Sequence, residues 1–363
     1  MKPEKNTAKF EKLLARIDHK LDFLGMNPLN EASEMKKFFK QPGYNPVFRY
    51  AKAPPCDNLL EKISRIDLEE NLLNRLLIEK SEKFRKTNAM IKHVGKEEFT
   101  VFSKEIFGTP DEELVNKSYK VLKEPAVCEE NLLTSKQVVD ALQKSLSSLG
   151  LSGWKVNIRK MAANAAVLHS RSLVCVRKNC GFSAGFLKQL IVHEIGAHVF
   201  RATNGAQQQH RIFATGLPDY LMTEEGLAVN MEEQNDCLRI NTLRSYAGRV
   251  LAIDLSLNGD FRYVYDELRK YFDERMAWNL TLRAKRGLSD TTKPGGYTKD
   301  HLYLKGYYEV KDFLVDKGRE GLKTLYYGRI GLQHVNIVKQ MEGLIEPKFL
   351  PDSEIFKSIL KEL

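Results

Sequence analysis

The run Gln189-Leu190-Ile191-Val192-His193-Glu194-Ile195-Gly196-Ala197-His198 holds two imidazoles and a carboxylate, the groups of a zinc-hydrolase signature, with one residue too many. In the H-E-x-x-H pattern the histidines stand four apart, about 40° from each other around an α-helix, and reach one ion together. Five apart on a regular helix they diverge by about 140° and cannot chelate. A π-bulge, with roughly 4.4 residues per turn, returns positions five apart to one face, and such bulges concentrate at functional sites. Gly196, between the histidines, costs a helix interior about 1 kcal/mol relative to alanine, which fits either a distorted backbone or a plain packing contact.

Zinc in a hydrolase takes three protein ligands and leaves the fourth position to water. The candidate third ligand is Glu225 in Thr223-Glu224-Glu225-Gly226-Leu227-Ala228, at the start of a helix for which Thr223 is the expected cap. Spacing alone leaves two readings open: a His, His, Glu metal site, or two buried histidines satisfied as core residues.

These residues need a buried helix to hold them. Ser183 is its expected N-cap, Phe186, Leu187, Leu190, Ile191, Ile195 and Phe200 bury it, and Asn204-Gly205 is its expected stop. Upstream, Trp154, Val156 and Ile158 alternate with Lys155, Asn157 and Arg159, the period of a strand with one buried face. Ala165 to Leu168 and Ser172 to Val176 follow, so a small antiparallel sheet is predicted between Gly153 and Arg177, preceded by a helix from about Ser135 to Ser148 that ends at Gly150.

The chain before it reads as helices. Phe10, Leu13, Leu14, Ile17, Leu21 and Leu24 recur at helical spacing, and a second helical run extends from Leu59 to Ile78. Breaks fall at Asn27-Pro28, at Gln41-Pro42-Gly43 before Asn45-Pro46, at Pro54-Pro55 and at Gly108-Thr109-Pro110-Asp111. From about Thr223 onward helix dominates again, interrupted at Asn258-Gly259, Pro294-Gly295-Gly296 and Pro347 with Pro351. The predicted class is α+β, mostly helical: a zincin-like catalytic part with a small antiparallel sheet and a buried H-E-x-x-x-H helix, by analogy with thermolysin-like zinc peptidases. Residues 1–134 are expected to pack as a helical region on a catalytic region over 135–363, the two forming one continuous domain.

The chain of 363 residues, 42% hydrophobic and 29% charged, has the composition of a soluble globular protein with a sizeable core. Its start, MKPEKNTAKF, lacks the apolar centre of a signal peptide, and no uncharged apolar run approaches the ~18 residues of a membrane span, so a cytoplasmic protein is expected. The five cysteines (Cys56, Cys128, Cys175, Cys180, Cys237) include no C-x-x-C pair, which points to reduced thiols and to neither a disulfide framework nor a thiolate zinc site. A net charge of +10 favours acidic partners. The basic runs Arg283-Ala284-Lys285-Arg286 and Lys117 to Lys123 lie in helical patterns and are expected to be solvated faces. With no zinc finger, phosphate loop or aromatic RNA-binding signature, no specific nucleic-acid partner is expected.

A resemblance joins the separate motifs. HEIGAH with Asn204-Gly205-Ala206-Gln207-Gln208, Glu224-Glu225-Gly226-Leu227-Ala228 and Thr298-Lys299-Asp300-His301-Leu302-Tyr303-Leu304-Lys305-Gly306 is similar to the family of the microtubule-associated tyrosine carboxypeptidases. That family also holds bacterial proteins labelled flavohaemoglobin expression-modulating, named for a Gln-Glu-Gly-Leu-Ala motif. The resemblance runs from Asn45-Pro46-Val47-Phe48-Arg49-Tyr50 to the C-terminus. It implies one zinc ion held by His193, His198 and Glu225, with Glu194 as catalytic base. Here Glu224 replaces the motif's glutamine, a change expected to tune the zinc or the substrate contacts. No long N-terminal extension is expected to precede the domain, so the resemblance does not carry microtubule targeting with it.

The expected reaction is removal of a C-terminal residue, tyrosine or another bulky one, from a polypeptide with an acidic tail. Zinc activates the water, and Glu194 takes its proton and passes it to the leaving amine. Tyr303 or His301 is the expected second donor to the tetrahedral oxyanion, and Lys299 the expected partner of the terminal carboxylate. The strand at Ala165 to Leu168 offers an edge for the substrate backbone. The alternative is a non-catalytic, zinc-stabilised regulatory or binding protein, against which Glu194 speaks, since a structural zinc site needs no base.

Overall fold

The computed structural model describes residues 5–21, 26–52, 56–130, 132–161, 163–351 and 353–361; Leu24 and Pro54-Pro55 lie outside the described residues. Six helices come first: α1 (Lys5–Lys20), α2 (Glu31–Lys40), α3 (Asp57–Ser64), α4 (Leu72–Lys92), α5 (Glu98–Phe107) and α6 (Glu112–Lys123). The proline and glycine breaks separate them, and Asp111 caps α6 by accepting from the Leu114 N–H at 2.8 Å. The run expected from Leu59 to Ile78 is two helices, because Asn71 accepts from the Asn74 N–H and starts α4 afresh.

A capping box of Thr134 and Gln137 opens α7 (Ser135–Ser148) where predicted. Two small sheets follow. The strand β1 (Leu133–Thr134) pairs antiparallel with β5 (Gly181–Phe182), while β2 (Lys155–Arg159), β3 (Ala165–Leu168) and β4 (Leu173–Arg177) lie in the order β2-β4-β3. The pair β3–β4 is antiparallel, as expected, but β2–β4 is parallel, since β3 takes the far edge and β4 returns through the middle. The alternation over β2 also buries less than predicted: Val156 is 6% exposed and Ile158 42%. Gln143 of α7 ties down only the start of the strand, through the Val156 N–H and the Trp154 carbonyl.

Next, α8 (Ala184–Ile191), a π-helical segment (Val192–Val199) and α9 (Phe200–Gln207) form one continuous rod, capped by Ser183, which accepts from the Phe186 N–H at 3.1 Å. Its core stripe, with Ile191, Ile195 and Val199 at 0% exposure, packs on the sheet and α7. The rod does not stop at Asn204-Gly205. A Cβ on Gly205 would meet the Phe213 carbonyl oxygen at 2.3 Å, and the Asn204 side chain bonds both the Phe349 N–H and its carbonyl, so these residues mark contacts rather than an end.

The remainder comprises α10 (Ile212–Thr215), α11 (Leu221–Gln234), α12 (Ile240–Ser256), α13 (Phe261–Leu268), α14 (Glu274–Lys285), α15 (Leu302–Leu325), α16 (Val335–Gln340) and α17 (Ser353–Lys361). Thr223 lies inside α11 and does not cap it; its hydroxyl accepts instead from the Leu332 N–H at 3.0 Å. Helices α11 and α15 touch backbone to backbone, since a Cβ on Gly226 would stand 2.1 Å from the Gly306 carbonyl oxygen. The early helices share cores with the late ones: Phe10, Leu14 and Leu77 with Phe213 and Ile330, and Phe38 and Phe48 with Phe261 and Trp278.

The run Arg283 to Arg286 is not a solvated face. Lys285 is 0% exposed and donates to the carbonyls of Gly259 and Lys293, and both arginines pair with the buried Asp300, because the loops after α12 and α14 close over this end of the helix. Among the described residues no helix is long and apolar enough to cross a membrane, and the cysteines are free.

Candidate active site

The wider π-helical turn brings His193 and His198 to one face, with ring centroids 5.0 Å apart and planes at 67°. Glu225 comes from α11, which packs against this segment, and its Oε2 lies 3.8 Å from the Nε2 of each histidine. One ligand atom from each of the three falls within 4.8 Å of the others. Gly196 has a packing reason to be glycine: a Cβ there would reach the Phe356 ring at 3.0 Å. Its carbonyl accepts from the Tyr326 hydroxyl at 2.7 Å, which anchors the distorted segment.

Each imidazole has a carboxylate on its other nitrogen. The Nδ1 of His193 lies 2.6 Å from Glu232 Oε1 and the Nδ1 of His198 lies 3.0 Å from Glu224 Oε1. Such partners fix the tautomer and leave the Nε2 lone pairs free for an ion. Two imidazoles and a carboxylate with supported second nitrogens make a donor set that suits zinc. Burial disfavours charge on His193, yet its hydrogen bond to Glu232 and the charges of Glu232, Glu194 and Glu225 push its pKa up to about 9. An incoming ion therefore has a proton to displace.

Glu224 is the focus of a buried charge network. Burial works to raise its pKa, but Arg201, Arg329 and His198 hold the carboxyl well below the usual range. Arg201 Nη1 stands 2.5 Å from Oε2 and Arg329 Nε 3.2 Å from Oε1. The fully buried Arg201 also donates to the carbonyls of Leu325, Gly328 and Ile330. Sequence reasoning missed Glu232, Arg201 and Arg329. The first had a signal, since Glu225 and Glu232 stand seven apart on one helix and so share a face. Arg329, 105 residues from Glu224, had none.

Glu194, 6% exposed, accepts no hydrogen bond from any described residue and lines a cleft of about 740 Å³. Burial raises its pKa above the usual carboxylate range; the two histidines oppose this, and Glu225 and Glu232 reinforce it. The edge strand β3 contributes Ala165, Ala166 and Val167 to the cleft, Phe182 and Phe186 supply aromatic surface, and five arginines (Arg177, Arg239, Arg249, Arg283, Arg329) line it beside the carboxylates of Glu194, Glu224, Glu225 and Glu232. Tyr303 lines it too, stacked on Tyr246 with centroids 5.2 Å apart. His301 does not: a 3₁₀ turn over Lys299–His301 folds its ring onto the Thr298 carbonyl at 2.6 Å, leaving it 1% exposed. Nor is Lys299 among the lining residues; its ammonium sits 5.4 Å from the Tyr303 ring centroid.

A family model described as "Microtubule-associated tyrosine carboxypeptidase" matches residues 36–361. The chain is 26% identical over 357 residues to microtubule-associated tyrosine carboxypeptidase 1 of Mus musculus, an alignment that covers 94% of this chain and 67% of the mouse protein. It is also 26% identical over 360 residues to the Rattus norvegicus protein of that name, with the same coverage. To the Homo sapiens protein it is 30% identical over 192 residues, 49% of this chain and 39% of the human one.

Proposed function

The chain belongs to the microtubule-associated tyrosine carboxypeptidase family, and from that premise we propose that it is a zinc-dependent carboxypeptidase that hydrolyses the last peptide bond of a polypeptide. The observation that carries this reading is the His193, His198, Glu225 cluster with an unengaged, buried Glu194 beside it in a cleft. His193, His198 and Glu225 hold the ion, and Glu224 and Glu232 orient the two rings. When bound, zinc lowers the pKa of water towards ~7 and polarises the scissile carbonyl.

Glu194 takes the proton of the attacking water and delivers it to the leaving amine. The Tyr303 hydroxyl, on the cleft wall, donates to the developing oxyanion. The outer edge of β3, paired only through β4 among the described residues, takes the substrate backbone as an added strand. The arginines of the cleft suit an acidic tail, and its aromatic wall of Phe182, Phe186, Tyr246 and Tyr303 suits a tyrosine or another bulky terminal residue.

Mass spectrometry of a peptide library with mixed C-termini, incubated with zinc-loaded protein and with Glu194→Gln, tests the reading. Loss of single C-terminal residues with the unmutated protein alone is expected. Zinc at full occupancy with no peptide shortened would sink the enzyme reading in favour of a zinc-stabilised regulator.

A further inference from the structure

Arg249 extends from α12 to the cleft wall, its guanidinium carbon 4.8 Å from the Tyr246 ring centroid and 4.5 Å from that of Tyr303. Three other cleft arginines are already matched: Arg239 with Glu129, Arg283 with Asp300 at 2.6 Å and Arg329 with Glu224 at 3.2 Å. Among the described residues Arg249 has no carboxylate within ion-pair reach, and its Nε is buried without a hydrogen-bond partner. Among the described residues Arg177, at the end of β4, also lacks an ion pair, but no aromatic ring faces its guanidinium as Tyr246 and Tyr303 face that of Arg249.

A guanidinium held against aromatic faces is fixed in place while its planar N–H fork stays available, and that fork matches a carboxylate with two parallel hydrogen bonds. Arg249 lines the same cleft as His193, Glu194, His198 and Glu225. A peptide that loses one residue holds its terminal carboxylate a single residue, about 3.5 Å of chain, beyond the scissile carbonyl. Lys299, the residue the sequence suggests for this contact, has its ammonium over the Tyr303 ring and is not among the residues that line the cleft.

We infer that Arg249, seated on Tyr246 and Tyr303, receives the α-carboxylate of the peptide substrate and thereby confines cleavage to the last bond. The inference rests on the carboxypeptidase reading and adds the group that makes the enzyme an exopeptidase.

The test compares one peptide in two forms, with a free C-terminal carboxylate and as the C-terminal amide. The unmutated, zinc-loaded protein is expected to prefer the acid in kcat/KM. Arg249→Gln is expected to lose roughly 10- to 100-fold on the acid and distinctly less on the amide, so that the acid preference collapses, and Arg249→Lys to recover part of the preference. Calorimetric binding of both peptides to Glu194→Gln, with and without Arg249→Gln, gives the same comparison without turnover, and melting curves verify that each variant folds. An acid preference that survives Arg249→Gln overturns the role of Arg249 and leaves the enzyme reading intact. Shortening of neither peptide by the unmutated protein overturns both.

Discussion

The Nδ1 of His198 stands 3.0 Å from Oε1 of Glu224, and that same carboxylate is the counter-charge of two arginines, the fully buried Arg201 and the cleft-lining Arg329. One glutamate thus orients a candidate zinc ligand and neutralises the interior beneath it. The acidic residue at this position meets both arginines and a histidine.

Glu224→Gln is expected to weaken the protein. The amide still accepts from one neighbour, but Arg201, with 0% exposure, loses its negative partner. Leaving one member of a buried pair costs roughly 3 kcal/mol, and a weakened partner on the histidine lowers metal affinity about 10- to 100-fold. Urea unfolding and a zinc-chelator competition measure the two effects; an unchanged unfolding midpoint would show that Arg201 is satisfied by its three carbonyls alone.

Metal content separates ligands from base. His193→Ala, His198→Ala and Glu225→Ala are each expected to lose bound zinc, whereas Glu194→Gln keeps it and loses peptidase activity. Elemental analysis of the dialysed variants decides this, and a Glu194→Gln protein without zinc would make Glu194 a ligand.

Gly226→Ala is expected to be among the most damaging single changes. Its Cβ would sit 2.1 Å from the Gly306 carbonyl oxygen, so α11 and α15 must part, and α11 carries Glu224, Glu225 and Glu232. Overpacking against backbone costs about 3 kcal/mol or more, and the separation moves three carboxylates off the histidines. A drop in melting temperature together with zinc loss is expected; near-normal melting would show that the helix contact yields easily.

Acid should destabilise the protein through His334. This side chain is 2% exposed, and burial, opposed by Asp219 and aided by Lys80, pushes its pKa down to about 4 from an ordinary 6.5. Between those values the unfolded chain binds a proton that the folded one refuses, so stability is full above pH ~6.5 and falls as pH drops towards 4, by about 3 kcal/mol at most. Urea midpoints between pH 7 and 4 are expected to fall more steeply for the unmutated protein than for His334→Gln. Parallel curves would place the titrating group elsewhere.

What the sequence determined by itself was local. Ser183 announced a helix start because a side-chain oxygen on a following N–H is a contact within a few residues. The breaks at proline and glycine were legible for the same reason. The five-residue spacing of His193 and His198 set a demand, a widened turn, without showing how it is met.

Only the tertiary structure decided the rest. The π-helical segment is supported by Phe356 and Tyr326, far along the chain, and the parallel pairing of β2 with β4 follows from which strand takes the edge. The basic run at Arg283 to Arg286 looked solvated because charge normally seeks water, and it was buried because Asp300 and two loop carbonyls replace that water. Arg329 reaches Glu224, and Arg249 is left unpaired in the cleft, through packing that brings distant helices together. A linear pattern fixes what a residue prefers; which partner satisfies it depends on how elements separate in sequence pack together.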